Sequence, residues 1–524
     1  MSQLNDRATL PLIGSATTPP CIDRVPTEIL DQILLDVCID EPLFLPLRHV
    51  RGRPFQSCPA MLVSSVCCQW RSIALANTAL WTPPTINVDL EGCEGILHRE
   101  DSGPYSAVHF EQTPKQRRYI ALLQCYFRRS GSTPLDMLIS GSMDNEEHWE
   151  ESVGAVVRTI ASTTSRWKCC ELPRYIADWL SVTRQSVHIE YEFSEFRTTF
   201  FSNAPRLHSW QGPIDNSLSE KTVLPWHQLT RLIVSNSTYI EFFMRLVPHL
   251  RQLTELNIVL REARGDGGPM PMPAQRGSAA GVLPLLNSAT LYMDSPRVLT
   301  RILATWTTPS LSYVKLVGTG FTPEGLWDEA GGHMRLERWP MEEFEGWWQR
   351  SRCALQRLTL SSFEMPKDDV GAIMVRVPGV VDFSIDERAI AGAADDQQRL
   401  SSVDDDLLRR LTANAGAEAE LLPNLKRLTI MGALCFDYAL LVDMVRSRVN
   451  PPVGRVKHSQ LGQVTTTLEY LKLYVDDESK ADVDDATEAQ LFEILGEDGF
   501  HCERGGHLMG RRMAALMHSD DELM

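Results

Sequence analysis

The sequence has few cysteines, no long apolar run and a deficit of positive charge. Its 524 residues include only 12 cysteines, and no two of them have the Cys-x-x-Cys spacing of structural zinc sites. This low density predicts reduced thiols, which are typical of a cytoplasmic or nuclear protein. No stretch approaches the roughly 20 consecutive apolar residues that a membrane-spanning helix requires, and residues 1–20 lack the apolar centre of a signal peptide. We therefore expect no membrane association and no secretion.

The charge balance argues against nucleic acid as a partner. The chain has 51 Lys and Arg residues against 68 Asp and Glu residues, a formal net charge of −17. A nucleic-acid-binding protein needs a surplus of cationic side chains to displace counterions from phosphates. With 43% hydrophobic and 23% charged residues, the composition is that of a folded protein. An acidic chain can still carry a local basic patch.

Sequence motifs for catalysis and for cofactor binding are lacking as well. No glycine-rich loop ends in Lys-Ser or Lys-Thr, and the spacing of Gly318, Gly320 and Gly325 does not match the dinucleotide-binding pattern. His501, Cys502 and His507 cluster near the C-terminus, but without the paired short spacings of a four-ligand zinc site. We therefore expect no enzymatic activity, no metal and no cofactor.

The N-terminal part predicts two helical regions. The segment Arg24–Asp36 has Pro26 in its first turn and an apolar stripe from Ile29 to Val37. A second helical region is predicted over Ala60–Ala76. Pro83-Pro84 prevents helical structure from continuing beyond Trp81.

Three blocks in these helices resemble the F-box. They are Val25-Pro26-Thr27-Glu28-Ile29-Leu30, then Val66-Cys67-Cys68-Gln69-Trp70-Arg71-Ser72-Ile73-Ala74, then Leu80-Trp81, and they occur in the order that this family shows. The resemblance implies that residues 21–84 dock on the Skp adaptor of a Skp–cullin–F-box ubiquitin ligase. The adaptor-binding residues it implies are Pro26, Ile29, Leu30, Ile33, Leu34, Val66 and Trp70. The segments Arg129–Leu135 and Ser165-Arg166-Trp167 are similar to connecting segments of large fungal F-box families with degenerate leucine-rich repeats.

A repeated pattern, apolar-x-x-apolar-x-apolar, runs through the second part of the chain. In such a unit the last two apolar residues point to one face of a short strand, and only stacked neighbours can bury that face. This predicts an irregular leucine-rich-repeat-like solenoid with a parallel sheet. A doubly wound α/β sheet is the alternative, since it too alternates strands and helices. Nine copies, of which the first is weaker, start at Leu207, Leu229, Leu253, Leu286, Leu311, Leu355, Val380, Leu425 and Leu468.

The predicted fold class is therefore α/β, with an N-terminal helical F-box followed by this solenoid. The expected organisation is a disordered lead (1–20), the F-box (21–84), a connecting helical segment (85–164), the solenoid (165–475) and an acidic C-terminal segment (476–524). Segments 261–281 and 389–419, rich in Gly and Pro or in Ala and Asp, are expected to be surface loops.

In each repeat strand, the residues on either side of the second apolar position point away from the core. Of these 18 residues five are basic and two acidic, in a chain that is acidic as a whole. This face predicts an acidic or phosphorylated protein target, because arginine pairs well with phosphate and carboxylate. The alternative is that exposed strand positions merely tolerate long polar side chains. The predicted substrate-binding residues are Arg231, Tyr313, Lys315, Arg357, Arg427, Tyr470 and Lys472.

Two functions follow from these patterns. The first is a substrate-recognition subunit of the ubiquitin ligase, in which the F-box binds the adaptor and the solenoid binds the target. The second is a leucine-rich-repeat interaction scaffold without a ligase function.

Overall fold

The computed structural model divides the chain into two compact units, Met1–Trp167 and Lys168–Met524. No helix among the described residues is both long enough and apolar enough to cross a membrane. The expected lead (1–20) and most of both predicted loops lie outside the described residues. These are 25–39, 43–46, 59–90, 96–99, 108–111, 113–141, 149–173, 176, 201, 204–214, 224–262, 281–319, 334–387, 402–412, 421–432, 434–450, 467–475 and 483–504.

The first unit combines helices with a small parallel sheet. Strands β1, β2 and β5 pair in parallel, while β3 and β4 form a separate antiparallel pair. The helices are α1 (Thr27–Ile39), α2 (Pro59–Val66), α3 (Cys68–Ala76), α4 (Pro114–Arg129) and α5 (Trp149–Ala161), and the strands are β1 (Leu43–Pro46), β2 (Ile86–Asp89), β3 (Ile96–Arg99), β4 (Val108–Glu111) and β5 (Leu135–Ser140).

The second predicted helical region is divided in two by Cys67. Its backbone is extended (φ −154°, ψ 174°), and its Sγ accepts a hydrogen bond from the Trp70 amide at 3.5 Å. Cys67 therefore caps α3 and satisfies one of the amides that have no partner within the helix. The sequence predicted a single helical region over Ala60–Ala76, whereas the structure has two helices there. The spacing of apolar residues does not show the backbone geometry at Cys67 that begins a new helix.

Arg166 holds the end of α4 in the first unit. Its guanidinium donates to the carbonyls of Phe127 (2.9 Å) and Thr133 (3.0 Å) and to the Ser130 hydroxyl (2.7 Å). The two connecting segments noted in the sequence therefore contact each other, because Arg166 of one segment donates hydrogen bonds to Ser130 and Thr133 of the other.

The second unit is built on a parallel sheet, which confirms the predicted α/β class. Its helices are α6 (Ile240–Leu246), α7 (Pro296–Thr305), α8 (Met341–Ser351), α9 (Lys367–Arg376), α10 (Asp405–Leu411), α11 (Tyr438–Val449) and α12 (Asp485–Leu495). The strands are β6 (Trp167–Glu171), β7 (Ser209–Gly212), β8 (Arg231–Tyr239), β9 (Glu255–Arg261), β10 (Gly281–Val282), β11 (Ser288–Met293), β12 (Trp306–Thr307), β13 (Tyr313–Gly318), β14 (Met334–Arg335), β15 (Arg357–Ser361), β16 (Phe363–Glu364), β17 (Asp382–Asp386), β18 (Arg427–Gly432), β19 (Tyr470–Val475) and β20 (Phe500–Arg504).

The strands of this sheet follow one another in chain order. From β6 the order is β6-β7-β8-β9-β11-β13-β15-β17-β18-β19-β20, and the short strands β10 with β12 and β14 with β16 pair separately. A doubly wound sheet needs a reversal of strand order. Among the described strands of the second unit there is no such reversal, which argues against the doubly wound alternative.

The nine copies of the repeated pattern form nine neighbouring strands in matching register. The second apolar residue of each copy pairs with that of the next, so that Leu232 lies beside Leu256 and Leu428 beside Leu471. The first apolar residues are buried too, from Leu229 to Leu468. Alternation with period two therefore places one face of every strand in the core.

The sheet extends beyond both ends of the repeated pattern. Strand β6 pairs with β7, and β20 pairs in parallel with β19 although it lies in the predicted acidic segment after residue 475. Strand β20 was not predicted from the sequence, because it lacks the leucine signature. Its buried side chain is Phe500, and the Gly499 carbonyl accepts the Leu471 amide.

Arg448 is a buried cation on α11 that binds main-chain carbonyls. Its guanidinium donates to the carbonyls of Leu411 (2.5 Å), Leu421 (2.6 Å) and Leu422 (2.9 Å). Leu422 has a left-handed backbone (φ 47°), a conformation that costs a non-glycine residue roughly 1–2 kcal/mol. The three hydrogen bonds offset that cost and fix where the chain re-enters the sheet before β18.

We predict that Arg448→Met lowers the free energy of unfolding by about 3 kcal/mol or more, because it leaves buried carbonyls without donors. The measurement is urea denaturation of the full chain followed by circular dichroism. Arg446→Met is the matched control, since Arg446 forms an exposed ion pair with Asp443 and should change stability by less than about 0.5 kcal/mol. Equal denaturation midpoints for the two variants would contradict the assignment.

We also predict a strong contrast in cysteine reactivity. The nine described cysteines are free thiols, and burial raises the pKa of Cys38 and of Cys353 to about 11 from 9.0. Their thiolate fraction at pH 8 is thereby reduced about a hundredfold. Iodoacetamide followed by peptide mass spectrometry should therefore label the exposed Cys68 and Cys435 before Cys38 and Cys353. Early labelling of Cys38 in folded protein would contradict the described packing.

Candidate protein-binding surfaces

Exposed apolar side chains are concentrated on the first three helices. Among the described residues, 11 large hydrophobic side chains are exposed, and six of them lie between residues 29 and 75. Ile29 (54% exposed), Ile33 (47%) and Val37 (58%) follow one another at four-residue spacing along α1. Leu62 and Val66 (61%) do the same on α2, which contacts α1. We call these five residues the apolar helix face. Concentrated apolar exposure of this kind marks a protein-interaction site.

Polar contacts fix the helices that carry this face. The Asn77 side-chain amide, after α3, donates to the Asp31 carboxylate on α1 at 2.7 Å. The indole of Trp81 donates to the Ala74 carbonyl of α3 at 2.6 Å. The three blocks quoted from the sequence are therefore held in one helical cluster, whose apolar helix face is positioned before any partner binds.

The structure divides the predicted adaptor-binding residues into two groups. Pro26, Ile29, Ile33 and Val66 are exposed, and Trp70 is half-buried. Leu30 and Leu34, each only 1% exposed, are core residues, and their prediction as contact residues is corrected. The apolar stripe of α1 is wider than its buried face. Leu30 and Leu34 pack inward at four-residue spacing, while the neighbouring Ile29 and Ile33 face solvent. Leu62 of α2 is exposed, as Val66 is.

The second candidate surface is the face of the large sheet that points away from its core. We call it the polar sheet face. All seven predicted substrate-binding residues lie on it, in two neighbouring rows that run across the strands. The first row contains Arg231, Tyr313, Arg357, Arg427 and Tyr470, and the second row, two residues further along each strand, contains Lys315 and Lys472.

Some of these cations are paired with acidic neighbours. Arg231 lies 3.0 Å from the Glu255 carboxylate on β9, and Lys472 lies 2.9 Å from that of Glu503 on β20. Such partly exposed pairs contribute little stability, but they reduce the charge that a ligand meets. Arg231 is therefore neutralised, and two strands, β9 and β11, separate it from β13.

The other two arginines stack on tyrosines. The Arg357 guanidinium lies 4.7 Å from the centre of the Tyr313 ring, and that of Arg427 lies 5.4 Å from the Tyr470 ring. Asp382 occupies the strand between them, in register with both. Burial raises the pKa of the Asp382 carboxyl, and Arg427 and Arg357 oppose that rise. The arrangement holds two planar cations about 10 Å apart, since strands are spaced at nearly 5 Å.

His501, from the C-terminal cluster noted in the sequence, lies beside this surface. Its ring centre lies 5.4 Å from that of Tyr470, next to the end of the first row. His507 lies outside the described residues. The sequence groups His501 with Cys502 and His507, and the structure shows the His501 ring packed on that of Tyr470.

No known protein-family model matches this chain, and no curated protein matches it in sequence.

Proposed function

We propose that this protein is the substrate-recognition subunit of a Skp–cullin–F-box ubiquitin ligase. The observation that carries the proposal is the apolar helix face, because it lies within the three blocks that resemble the F-box. Aliphatic side chains held in water on pre-positioned helices are free to be buried by a partner, and each is worth roughly 1.5–3 kcal/mol when fully buried. The Skp-type adaptor is that partner, and it connects this chain to the cullin ligase.

The polar sheet face is the proposed site for the target protein. Nine copies of one pattern form consecutive parallel strands, which supports a leucine-rich-repeat-like solenoid. In such an array the residues between the apolar positions form one broad surface, and here they include Arg357, Arg427 and Lys315. An acidic or phosphorylated protein complements this surface. The chain itself performs no chemistry in this proposal, needs no cofactor, and acts in the cytoplasm or the nucleus.

The alternative is a leucine-rich-repeat scaffold that does not bind the ligase adaptor. The polar sheet face fits both functions equally well. What favours the ligase subunit is the exposure of Ile29, Ile33 and Val66, since a scaffold that needs only its sheet face has no use for an uncovered apolar helix face.

We predict that Ile33→Asp weakens binding to the purified Skp adaptor at least about tenfold, because a charged side chain cannot be buried in an apolar contact without a large desolvation cost. The measurement is the dissociation constant of the full chain by isothermal titration calorimetry. Ile29→Asp should have a similar effect. Both side chains are half exposed, so neither change should lower the melting temperature.

Val375→Asp supplies the matched control, since Val375 is an exposed aliphatic residue on α9 of the second unit. It should leave adaptor affinity unchanged. Leu30→Ala is unsuitable as a contact variant, because truncating a fully buried leucine costs about 2–5 kcal/mol of stability. Failure of the unaltered chain to bind the adaptor, or full binding by Ile33→Asp, would favour the scaffold.

A further inference from the structure

Helix α4 concentrates positive charge at the surface of the first unit. Its 16 residues include five cationic side chains and no acidic one, in a chain whose net charge is −17. Arg129 stacks on the Trp81 ring at 5.8 Å and is therefore part of the packing. Arg117, Arg118 and Arg128 are exposed to solvent. The sequence allows for a local basic patch in an acidic chain, and α4 carries one.

The exposed arginines of α4 follow the helix axis. Arg117 and Arg128 are 11 positions apart, which is close to three helical turns, so they lie in line and about 16 Å apart along the axis. Ala121 and Gln124 occupy the same line between them, and both are exposed. The helix surface therefore has cations at both ends and uncharged side chains between them.

A groove between α4 and α5 continues this surface. Its volume is about 380 Å³, and it is lined by Gln124, Phe127, Arg158, Thr159 and Ser162. Both hydroxyls already donate hydrogen bonds to main-chain carbonyls of α5, at 2.8 and 2.7 Å. The side-chain donors left for an anion in the groove are the Arg158 guanidinium and the Gln124 amide. We call Arg117, Arg118, Arg128 and Arg158 the basic helix face.

The charge of the basic helix face is not neutralised within the part of the chain that the structure describes. None of its four arginines has an ion-pair or hydrogen-bond partner there. By contrast, Arg297, Arg301 and Arg376 on helices of the second unit each form an ion pair with a glutamate. The acidic residues of α5 lie in its first turn, whereas Arg158 lies in its last. The face is therefore available to an anionic partner.

We propose that the basic helix face binds an acidic segment of a partner protein. It is a third interaction surface, separate from the apolar helix face and the polar sheet face. Carboxylates of the segment pair with Arg117 and Arg118 at one end and with Arg128 at the other, because guanidinium and carboxylate form charge-assisted hydrogen bonds. One carboxylate enters the groove beside Arg158. An extended segment of about five residues spans the face, since a strand rises roughly 3.3 Å per residue.

Nucleic acid fits this face less well than an acidic protein segment. Single-stranded nucleic acid is bound by cations together with aromatic rings on which the bases stack. The aromatic side chains of α4, Tyr119, Tyr126 and Phe127, are all buried. Nucleic acid also carries a charge on every nucleotide, so a chain with a net charge of −17 repels it more strongly than it repels a short acidic segment.

An anionic membrane fits this face poorly as well. A helix that binds a membrane surface inserts its apolar side among the lipids. The apolar side of α4 is buried in the first unit, and none of the exposed large hydrophobic side chains among the described residues lies on α4. The arginines alone would have to provide the whole attachment.

The test is fluorescence anisotropy of the full chain with two labelled peptides of equal length. One peptide repeats Glu-Glu-Ser and the other repeats Gln-Gln-Ser. We expect the acidic peptide to bind at least about tenfold more tightly, and its affinity to fall as sodium chloride is added, because salt screens exposed charges. Equal affinities for the two peptides overturn the proposal.

Matched variants locate the binding. Arg117→Gln combined with Arg128→Gln should weaken binding of the acidic peptide at least about fivefold, and Arg158→Gln should weaken it too, because each change removes an exposed partner of a carboxylate. Arg245→Gln combined with Arg251→Gln is the control. These two exposed arginines of the second unit give the same change in net charge as the α4 pair. The melting temperature should be unchanged in all of these variants.

Three results would overturn the proposal. The first is an equal loss of affinity in the control pair, which would indicate attraction to the chain as a whole. The second is retention of binding by the Arg117→Gln, Arg128→Gln variant with loss in Arg357→Gln, Arg427→Gln, which would place the peptide on the polar sheet face. The third is tighter binding of oligouridine, or of vesicles of equimolar phosphatidylcholine and phosphatidylserine, that is lost in the α4 variant.

Adaptor affinity is measured on the same protein preparations. The α4 substitutions should leave it unchanged, and a loss would mean that the adaptor covers the basic helix face, which overturns a separate surface. Adaptor binding without a preference for the acidic peptide rejects only the basic helix face. Preference for the acidic peptide without adaptor binding rejects only the ligase role.

Discussion

The in-register pairing of parallel strands is the constraint on which the second unit depends. A strand alternates its side chains between two faces, so a shift of one residue would turn every leucine outward and every arginine inward. The main chain secures the register just before the strands begin. There, the amide of Thr254 donates to the Thr230 carbonyl and that of Glu469 to the Lys426 carbonyl. The described pairing from β7 to β19 is interrupted by one shift, between β8 and β9 after Ile233, and up to that point residues that are far apart in the chain form continuous rows.

This register converts a weak sequence signal into a defined surface. Arg357 and Arg427 are 70 residues apart in sequence, yet only one strand separates them in the sheet. Asp382 lies on that strand, so that a carboxylate stands between the two guanidinium groups. The same alternation exposes Thr359, Ser384 and Thr429 in the next row. Charge and hydrogen-bonding capacity on the polar sheet face are therefore consequences of the pairing that also buries the core.

Much of the sheet could be predicted from the sequence, because its signal is local. The repeated pattern at Leu425, Leu428 and Ile430 identifies β18 without knowledge of any other strand. The other copies of the pattern identify their strands in the same way. Strand β20 could not be found in this way, since its buried Phe500 follows no leucine pattern. Arg448 also escaped prediction, because its three carbonyl partners lie 26 to 37 residues away in sequence.

The helical surface was predicted less completely, and for a physical reason. Spacing shows that Ile29, Leu30, Ile33 and Leu34 form a wide apolar stripe, but it does not show which part of the stripe packs inward. Tertiary contacts decide that, and they bury Leu30 and Leu34. The remaining aliphatic residues then stay in water. In our account an adaptor covers them, while the polar sheet face stays open for a target.

Hydrogen–deuterium exchange of the full chain, with and without saturating Skp adaptor, tests this division of roles most directly. The account predicts slower exchange in α1, α2 and α3 when the adaptor is present, and unchanged exchange in the strands from β7 to β19. Protection of those strands with none in the three helices would contradict it.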